Sequence, residues 1–186
     1  MNEERNNMDL TKNKIDATLV FAVKNDGNQR KVLLAQKVRK LIVNCFNGFG
    51  GSLNKKETPR VCAIRELKAE SGLTAMKKDL EFVGVVTFHN QRKDHSQFSV
   101  RVFIFTLSKW RGKVKTKEDE MKNPKWFKTY RLPLKRMAPG DKLFVPQIFI
   151  GDHSKELLHG DIWYSRNQKK LLRYVVKWVA RTGDIN

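Results

Sequence analysis

A short segment of the chain, residues 51–73, carries acidic side chains at a spacing that suits metal chemistry. Within it Glu66 and Glu70 are four residues apart, so on a helix both lie on one face. Two converging carboxylates suit Mg²⁺, a hard cation that takes a few protein oxygens and keeps several waters and phosphate oxygens. An ion held there can activate water and neutralise charge on a phosphoryl group. Arg65 can pair with a nearby carboxylate, for which Glu57 is a candidate, and hold this geometry.

The residues around these carboxylates predict the helix that presents them. Thr58 suits an N-cap, and Pro59 suits the first helical position, where a missing N–H costs little. Gly72 suits the end of the helix. Ala63 and Leu67 share the stripe of the two carboxylates. We therefore expect a helix whose acidic edge borders the buried core.

A glycine-rich turn, residues 48–51, precedes this helix and lets the backbone come close to a metal ion or to phosphates. Taken singly, glutamates on a helix are usually surface residues, and a glycine pair is an ordinary turn. The combined spacing is different, because agreement at six single-residue positions arises by chance on the order of once in ten million sites. The interpretation of this segment therefore rests on the spacing of its residues and not on its amino-acid composition.

The segment resembles the Nudix box, which reads Gly, five residues, Glu, seven residues, then Arg-Glu-aliphatic-any-Glu-Glu-any-Gly-aliphatic. Eight of the nine defined positions match, and Ala69 stands where the pattern has the first glutamate of its pair. The wider chain resembles the MutT-type hydrolases of oxidised purine nucleoside triphosphates. The similar stretches are VLLAQK, FNGFGGSL, RELKAESGL, DEM, WF and LHGDIWY.

This resemblance implies a catalytic set that consists of Glu57, Arg65, Glu66, Glu70 and Glu120. Glu66 and Glu70 are then metal ligands, joined by Gly50 of the turn and by Glu120 as a further acidic residue facing the metal. The implied ion is Mg²⁺, with Mn²⁺ as an alternative. Whether Glu66 or Glu120 takes the proton of the attacking water stays open.

The resemblance also implies a substrate site. Lys37 corresponds to a lysine near the phosphates, and Asn47 to an asparagine that contacts the base. Phe46 stands in place of an aromatic residue beside that asparagine, and Phe88 corresponds to an aromatic that lines the pocket. Asp141 corresponds to an acidic residue that holds the purine edge.

The chain departs from that family at the base site. Members that prefer oxidised guanine have Trp-Pro-Asp-Asp where this chain has Ala-Pro-Gly-Asp at residues 138–141. An aromatic removed from a base site loses about 1–3 kcal/mol of stacking. We therefore expect weaker selectivity for the oxidised base. Ala69 removes one carboxylate from the metal cluster, which would lower metal occupancy and slow the reaction.

Length and composition predict one domain without a membrane span. The chain has 186 residues, enough for a sizeable core, and we expect a flexible polar tail over residues 1–14 and one Nudix domain over residues 15–186. No apolar run approaches the roughly 18 residues of a membrane-spanning helix, and the polar N-terminal residues have no apolar signal-peptide core. Cys45 and Cys62 fit no metal or disulfide spacing and indicate reduced thiols. These features favour a monomeric cytoplasmic protein.

The pattern of the remaining chain predicts an α/β (α+β) fold with the mixed β-sheet of the Nudix fold sandwiched between helices. Alternation and β-branched residues predict strands at residues 17–23, 31–38, 81–88 and 97–105, with a hairpin turn at 25–28. A second helix is expected at about residues 142–150. Apolar residues at helical spacing predict a final packing helix over residues 169–182.

The net charge of +19 favours partners that carry phosphate, either polyphosphates or nucleic acid. The densest basic run is Lys109–Lys117, and Trp110 within it can stack a base or simply anchor a loop. The four histidines show no ligand spacing. The resulting interpretation is a Mg²⁺-dependent hydrolase that cleaves purine nucleoside triphosphates to the monophosphate and pyrophosphate. Two alternatives stay open: hydrolysis at an RNA 5′ end, and a weakened Nudix domain that binds nucleic acid.

Overall fold

The structure is a computed structural model that describes residues 14–38, 44–168 and 170–181, and it is built around a mixed β-sheet. The strands formed by these residues are β1 (Lys14–Asp26), β2 (Gln29–Lys37), β3 (Phe46–Asn47), β4 (Leu80–Gln91), β5 (Gln97–Leu107), β6 (Met121–Lys128), β7 (Glu156–Tyr164) and β8 (Leu171–Ala180). The α-helices are α1 (Pro59–Ser71) and α2 (Asp141–Ile148). Single 3₁₀ turns lie at Lys77–Asp79, Leu134–Arg136 and Arg166–Gln168.

The strands lie in the order β3-β2-β1-β5-β4-β7-β8, and β6 also pairs with β2. β1 runs parallel to β5, and β4 runs parallel to β7, whereas the other pairs are antiparallel. The long β1 serves two neighbours, since residues 14–22 pair with β5 and residues 23–26 pair with β2. β1 therefore lies in the middle of the sheet, where the site residues gather.

A hydrophobic core covers each face of the sheet. On one face α1 contributes Ala63 and Leu67, both fully buried, to a cluster with residues of β1, β4 and β5. On the other face α2 contributes Phe144 and Val145 to a second cluster. The expected mixed sheet between helices is confirmed. None of the helices formed by the described residues is long and apolar enough to cross a membrane.

The ends of α1 follow the local sequence. Thr58 takes the extended N-cap conformation, although its side chain makes no capping bond, and Pro59 begins the helix. Gly72 ends it in the left-handed conformation, with φ of 75°, and its N–H donates to the Lys68 carbonyl. A residue with a Cβ is strained at that φ, so glycine sets the length of the helix.

The predicted strands and the hairpin are confirmed. β1, β4 and β5 are longer than predicted, and β2 begins two residues and ends one residue before its predicted bounds. The predicted second helix is α2, which begins one residue before and ends two residues before the expected bounds. The predicted tail over residues 1–14 lies outside the described residues except for Lys14, which begins β1. β6 and β7 were not expected from the periodicity.

The expected C-terminal helix over residues 169–182 is wrong, because residues 171–180 form β8, antiparallel to β7. The segment is rich in valine and aromatic residues, which favour strands. Val176 and Trp178 alternate onto the core face, whereas Leu172 and Val175, which a helix would have buried, are 64% and 50% exposed. Sheet pairing with β7 outweighs the helical spacing of the apolar residues.

Candidate active site

The loop after β3 lies directly along β1 and forms the floor of the site. The Thr18 N–H donates to the Gly51 carbonyl at 2.9 Å, and the Val20 N–H donates to the Phe49 carbonyl at 2.7 Å. A Cβ at Gly50 would lie 2.0 Å from the Thr18 carbonyl oxygen. Only glycine allows the loop to approach the strand this closely.

Two carboxylates of α1 meet this loop, as their spacing predicted. The Gly50 N–H donates to Glu70 Oε2 at 2.7 Å, and Glu70 is only 5% exposed. A Cβ at Gly51 would lie 2.6 Å from the carboxyl carbon of Glu66. The Gly50–Gly51 backbone is therefore enclosed by the two carboxylates.

Arg65 fixes the position of Glu66. Its guanidinium donates to both carboxylate oxygens of Glu57, at 2.8 and 2.7 Å, to the Ser52 carbonyl at 3.1 Å, and to Glu66 Oε1. The predicted pairing of Arg65 with Glu57 is confirmed. The hydrogen bonds from Arg65 lower the pKa of Glu57 to about 2, so this carboxylate is charged at neutral pH. Such fork-shaped bonds hold both partners in one geometry.

These donors fit a magnesium ion. Glu66, Glu70 and the backbone of Gly50 offer hard oxygen ligands around one stretch of loop, and Mg²⁺ prefers few protein oxygens with water and phosphate completing its shell. Among residues 14–38, 44–168 and 170–181, no group of three acidic, histidine or cysteine side chains is arranged to hold a metal ion. The fit therefore rests on two carboxylates and the loop.

Within the described part of the chain, Glu120 does not form a three-carboxylate group with Glu66 and Glu70 that could hold a metal ion. Its side chain pairs with Lys117, whose Nζ lies 2.6 Å from Glu120 Oε1. Its carbonyl accepts the Val38 N–H at 2.9 Å, which places its backbone beside the end of β2. The role of Glu120 at the metal stays a prediction.

A cleft of about 600 Å³ opens from Gly50 and Gly51 and contains most of the predicted substrate residues. Lys37, Asn47, Phe88 and Asp141 all line it. The cleft is thus lined both by the glycine loop that Glu66 and Glu70 contact and by the amide and acid of Asn47 and Asp141. Its size is within the range of small-molecule sites.

Asn47 and Asp141 form one hydrogen-bonded unit. Asn47 Nδ2 donates to Asp141 Oδ2 at 3.1 Å, and Asn47 Oδ1 accepts the Gly48 N–H at 2.8 Å. The two bonds fix the orientation of the amide. Burial raises the pKa of Asp141 to about 6, against a smaller lowering effect of Lys37. Asp141 therefore changes its charge near pH 6.

Phe46 occupies a different place from its predicted one. Because neighbouring residues of a strand face opposite sides, Asn47 enters the cleft while Phe46 is buried in the core, 1% exposed. Its ring packs against Phe127 with centroids 4.9 Å apart. The structure therefore places Phe46 behind Asn47 as packing.

Three further residues of the cleft wall were missed by sequence reasoning. Tyr164 at the end of β7 stacks on Phe88 and accepts the Gly140 N–H at 2.7 Å. Asn90 and Gln168 meet through a 2.6 Å bond from Gln168 Nε2 to Asn90 Oδ1. The parallel pairing of β4 with β7 brings these residues together, and no local pattern reports it. The only available signal was the period-two spacing of residues 88 and 90.

Comparison with known proteins gives a consistent family. The family described as NUDIX domain matches residues 14–148. The oxidized purine nucleoside triphosphate hydrolase of Danio rerio is 34% identical over 116 residues, which cover 62% of this chain and 70% of that protein. The protein of the same name from Mus musculus is 33% identical over 117 residues, 63% of this chain and 70% of that protein. The crystal structure of the MutT protein from Bacillus halodurans superposes with a TM-score of 0.68 at 23% identity, covering 87% of this chain and 97% of that one.

Proposed function

The chain belongs to the Nudix hydrolase family, and from that premise we propose that it hydrolyses purine nucleoside triphosphates, including oxidised ones, to the monophosphate and pyrophosphate. Such a reaction would remove damaged nucleotides from the nucleotide pool. One observation carries the proposal: a single cleft is lined both by Gly50 and Gly51, whose backbone the two α1 carboxylates contact, and by the Asn47–Asp141 pair, which suits a base edge. The relatives named for the oxidised purine reaction support this choice of substrate.

The cleft also carries positive charge for the phosphates. Lys37 lines the cleft and supplies positive charge toward the substrate's phosphates. Glu66, Glu70 and the Gly50 backbone would hold a Mg²⁺ ion, which would supply a Lewis acid to activate water and offset phosphate charge. Arg65 holds Glu66 Oε1, so Glu66 Oε2 is the atom we assign to accept the proton of the attacking water, with Glu120 as the alternative.

The base end offers one fixed amide and one titrating acid. The second N–H of Asn47 Nδ2 can donate to a base acceptor, because the first is used by Asp141. Asp141, when ionised, accepts from a base N–H. Phe88 and Tyr164 provide an aromatic wall beside them. A purine placed here would meet a donor, an acceptor and an apolar surface.

Ala138 and Gly140 limit the selectivity of this site. Ala138 lines the cleft but offers no ring for stacking. A Cβ at Gly140 would lie 2.7 Å from the Tyr164 hydroxyl, so a second acid at this position has no room. We therefore infer weaker discrimination between oxidised and ordinary guanine than in relatives with the full aromatic and acidic set.

The proposal is tested with purified protein, Mg²⁺ and a panel of ordinary and oxidised nucleoside triphosphates, dinucleoside polyphosphates, nucleotide sugars and 5′-triphosphate RNA, with pyrophosphate and phosphate release measured separately. Pyrophosphate release from purine triphosphates, absent without a divalent ion and in Glu70→Gln, is the expected result. A second candidate, hydrolysis at an RNA 5′ end, is favoured by the +19 charge. Faster release from 5′-triphosphate RNA than from every free nucleotide would replace the first proposal by the second.

A further inference from the structure

The segment between β5 and β6 alternates two kinds of side chain over residues 109–117. The exposed positions are cationic and are Lys109, Arg111, Lys113, Lys115 and Lys117. Between them Trp110 and Val114 are partly buried and pack against the core on the α1 side. This segment, here named the basic arm, exposes five cationic side chains to solvent, and Gly112, with φ of 92°, interrupts its extended course.

The arm is held in place by backbone contacts. The Arg111 N–H donates to the Thr74 carbonyl at 2.8 Å, and the Thr74 N–H donates back to the Arg111 carbonyl at 3.0 Å. The Lys115 N–H donates to the Ser71 carbonyl at 2.8 Å. Part of the positive charge complements the C-terminal end of α1. A helix end interacts only within its last turn, so it does not account for the whole row.

A hollow of about 830 Å³ lies at the Trp110 end of the arm. Lys24, Arg30 and Lys109 contribute charge to its lining, and among the described residues no acidic side chain lines it. Trp110 stacks on Trp126 with centroids 5.7 Å apart and planes at 23°. The Lys24 ammonium lies 4.5 Å from the centroid of Trp126. The indole of Trp110 is thus fixed in orientation before any ligand arrives.

The other end of the arm reaches the catalytic cleft. Lys117 pairs with Glu120, whose carbonyl accepts the Val38 N–H at 2.9 Å. Val38 follows Lys37, which lines the cleft. The arm therefore runs from the aromatic hollow to the end of β2, where Lys117 is paired with Glu120 and lies 4.0 Å from Asp119.

We propose that the basic arm and the hollow at Trp110 bind single-stranded nucleic acid. Proteins that bind single strands combine a cationic track for the phosphates with aromatic rings on which bases stack. This surface has both features, since Trp110 is followed along the chain by the cations of the basic arm. Bases within a duplex are already stacked and cannot use the indole. An acidic polypeptide would meet the cations but gains nothing from a fixed ring.

The test measures the anisotropy of a 5′-fluorescein-labelled 15-mer oligouridylate against protein concentration at several salt concentrations. The variant Lys113→Gln/Lys115→Gln removes two cations of the row. The matched control, Lys77→Gln/Lys78→Gln, removes the same charge from an exposed 3₁₀ turn. We expect at least a tenfold weaker Kd for the arm variant and less than a threefold change for the control. The slope of log K against log salt should fall by about 1.4 for the arm variant, since each phosphate contact to a single strand contributes about 0.7.

The stacking part is tested with Trp110→Phe and Trp110→Ala, with thermal unfolding recorded for each. Phenylalanine should keep most of the affinity, and alanine should lose about tenfold. If Trp110→Ala does not fold, the quenching of the intrinsic tryptophan fluorescence of the unmodified protein by the oligonucleotide is measured instead. Any of three results would overturn the proposal: an equal loss of affinity in the arm variant and the control, displacement of the oligonucleotide by polyglutamate at equal charge, or no binding at 50 mM salt.

Discussion

Gly51→Ala is the substitution that should reduce activity most while changing the stability of the fold least. Gly51 is absent from the residues with positive φ, so alanine meets no backbone strain there. Its Cβ would lie 2.6 Å from the Glu66 carboxyl carbon, and 2.7 and 2.8 Å from its two oxygens. The obstacle is the end of a side chain, so the carboxylate moves and the backbone does not.

The size of the effect follows from that distance. An ordinary contact begins at 3.4 Å, so the Glu66 carboxyl carbon must retreat by 3.4 − 2.6 = 0.8 Å. A displacement of about 1 Å in a catalytic group costs on the order of a hundredfold in rate. The stability changes little, because the reduced entropy of the unfolded chain contributes about 0.4–1 kcal/mol and an off-rotamer Glu66 costs about 0.5–1.5 kcal/mol. Activity should therefore fall about a hundredfold while the Tm shifts by only a few degrees.

The assay pairs kcat/KM for the preferred triphosphate, measured across a Mg²⁺ titration, with thermal unfolding. Gly50→Ala is the matched control one residue away. Its Cβ would lie 2.0 Å from a backbone oxygen of β1, so this variant should unfold instead. A folded Gly51→Ala with activity within threefold of the original would show that the position of the Glu66 carboxylate is not critical, and the proposed metal site would be wrong.

Three further outcomes are expected. Glu70→Gln keeps the shape of a buried side chain and removes its charge, so kcat should fall at least a hundredfold with circular dichroism unchanged; near-normal turnover at saturating Mg²⁺ would exclude Glu70 as a ligand. Asp141 has a pKa raised from 3.8 to about 6, so the native state binds the proton more tightly and the free energy of unfolding should fall by about 2 kcal/mol as pH rises from 4 to 6. Denaturant titrations of Asp141→Asn should lack this fall, and an identical pH profile would contradict the assigned burial effect. Ala138→Trp should raise the kcat/KM ratio of 8-oxo-dGTP over dGTP, whereas Gly140→Asp should lower the Tm because a tyrosine hydroxyl occupies the space; the reverse pattern would show that the base lies elsewhere.

The carboxylate half of the candidate site could be predicted from sequence because its geometry is local. Glu66 and Glu70 share a face through the helical repeat alone, and Gly72 sets the end of the same helix. The pairing of Arg65 with Glu57 spans only eight residues. Each of these relations depends on short-range spacing, so the motif contained them.

The C-terminal strand shows where this reasoning fails. Leu172, Val175, Val176 and Val179 have helical spacing, yet the segment pairs with β7 over nearly its whole length. A strand at the sheet edge gains its hydrogen bonds from a neighbour that periodicity does not identify. β-branched and aromatic composition was the better indicator in this segment.

The base half of the cleft depends on contacts that no local pattern encodes. Asn47 meets Asp141 across 94 residues, and Tyr164 meets the Gly140 N–H across 24. Phe88 joins them only because β4 and β7 are neighbours in the sheet. The box residues contact one another, so a change in one would disturb the proposed metal site. The base wall is assembled from separate segments, so its residues can change without affecting the carboxylates. This independence explains how the box can match at eight of nine positions while Ala138 and Gly140 depart from the family.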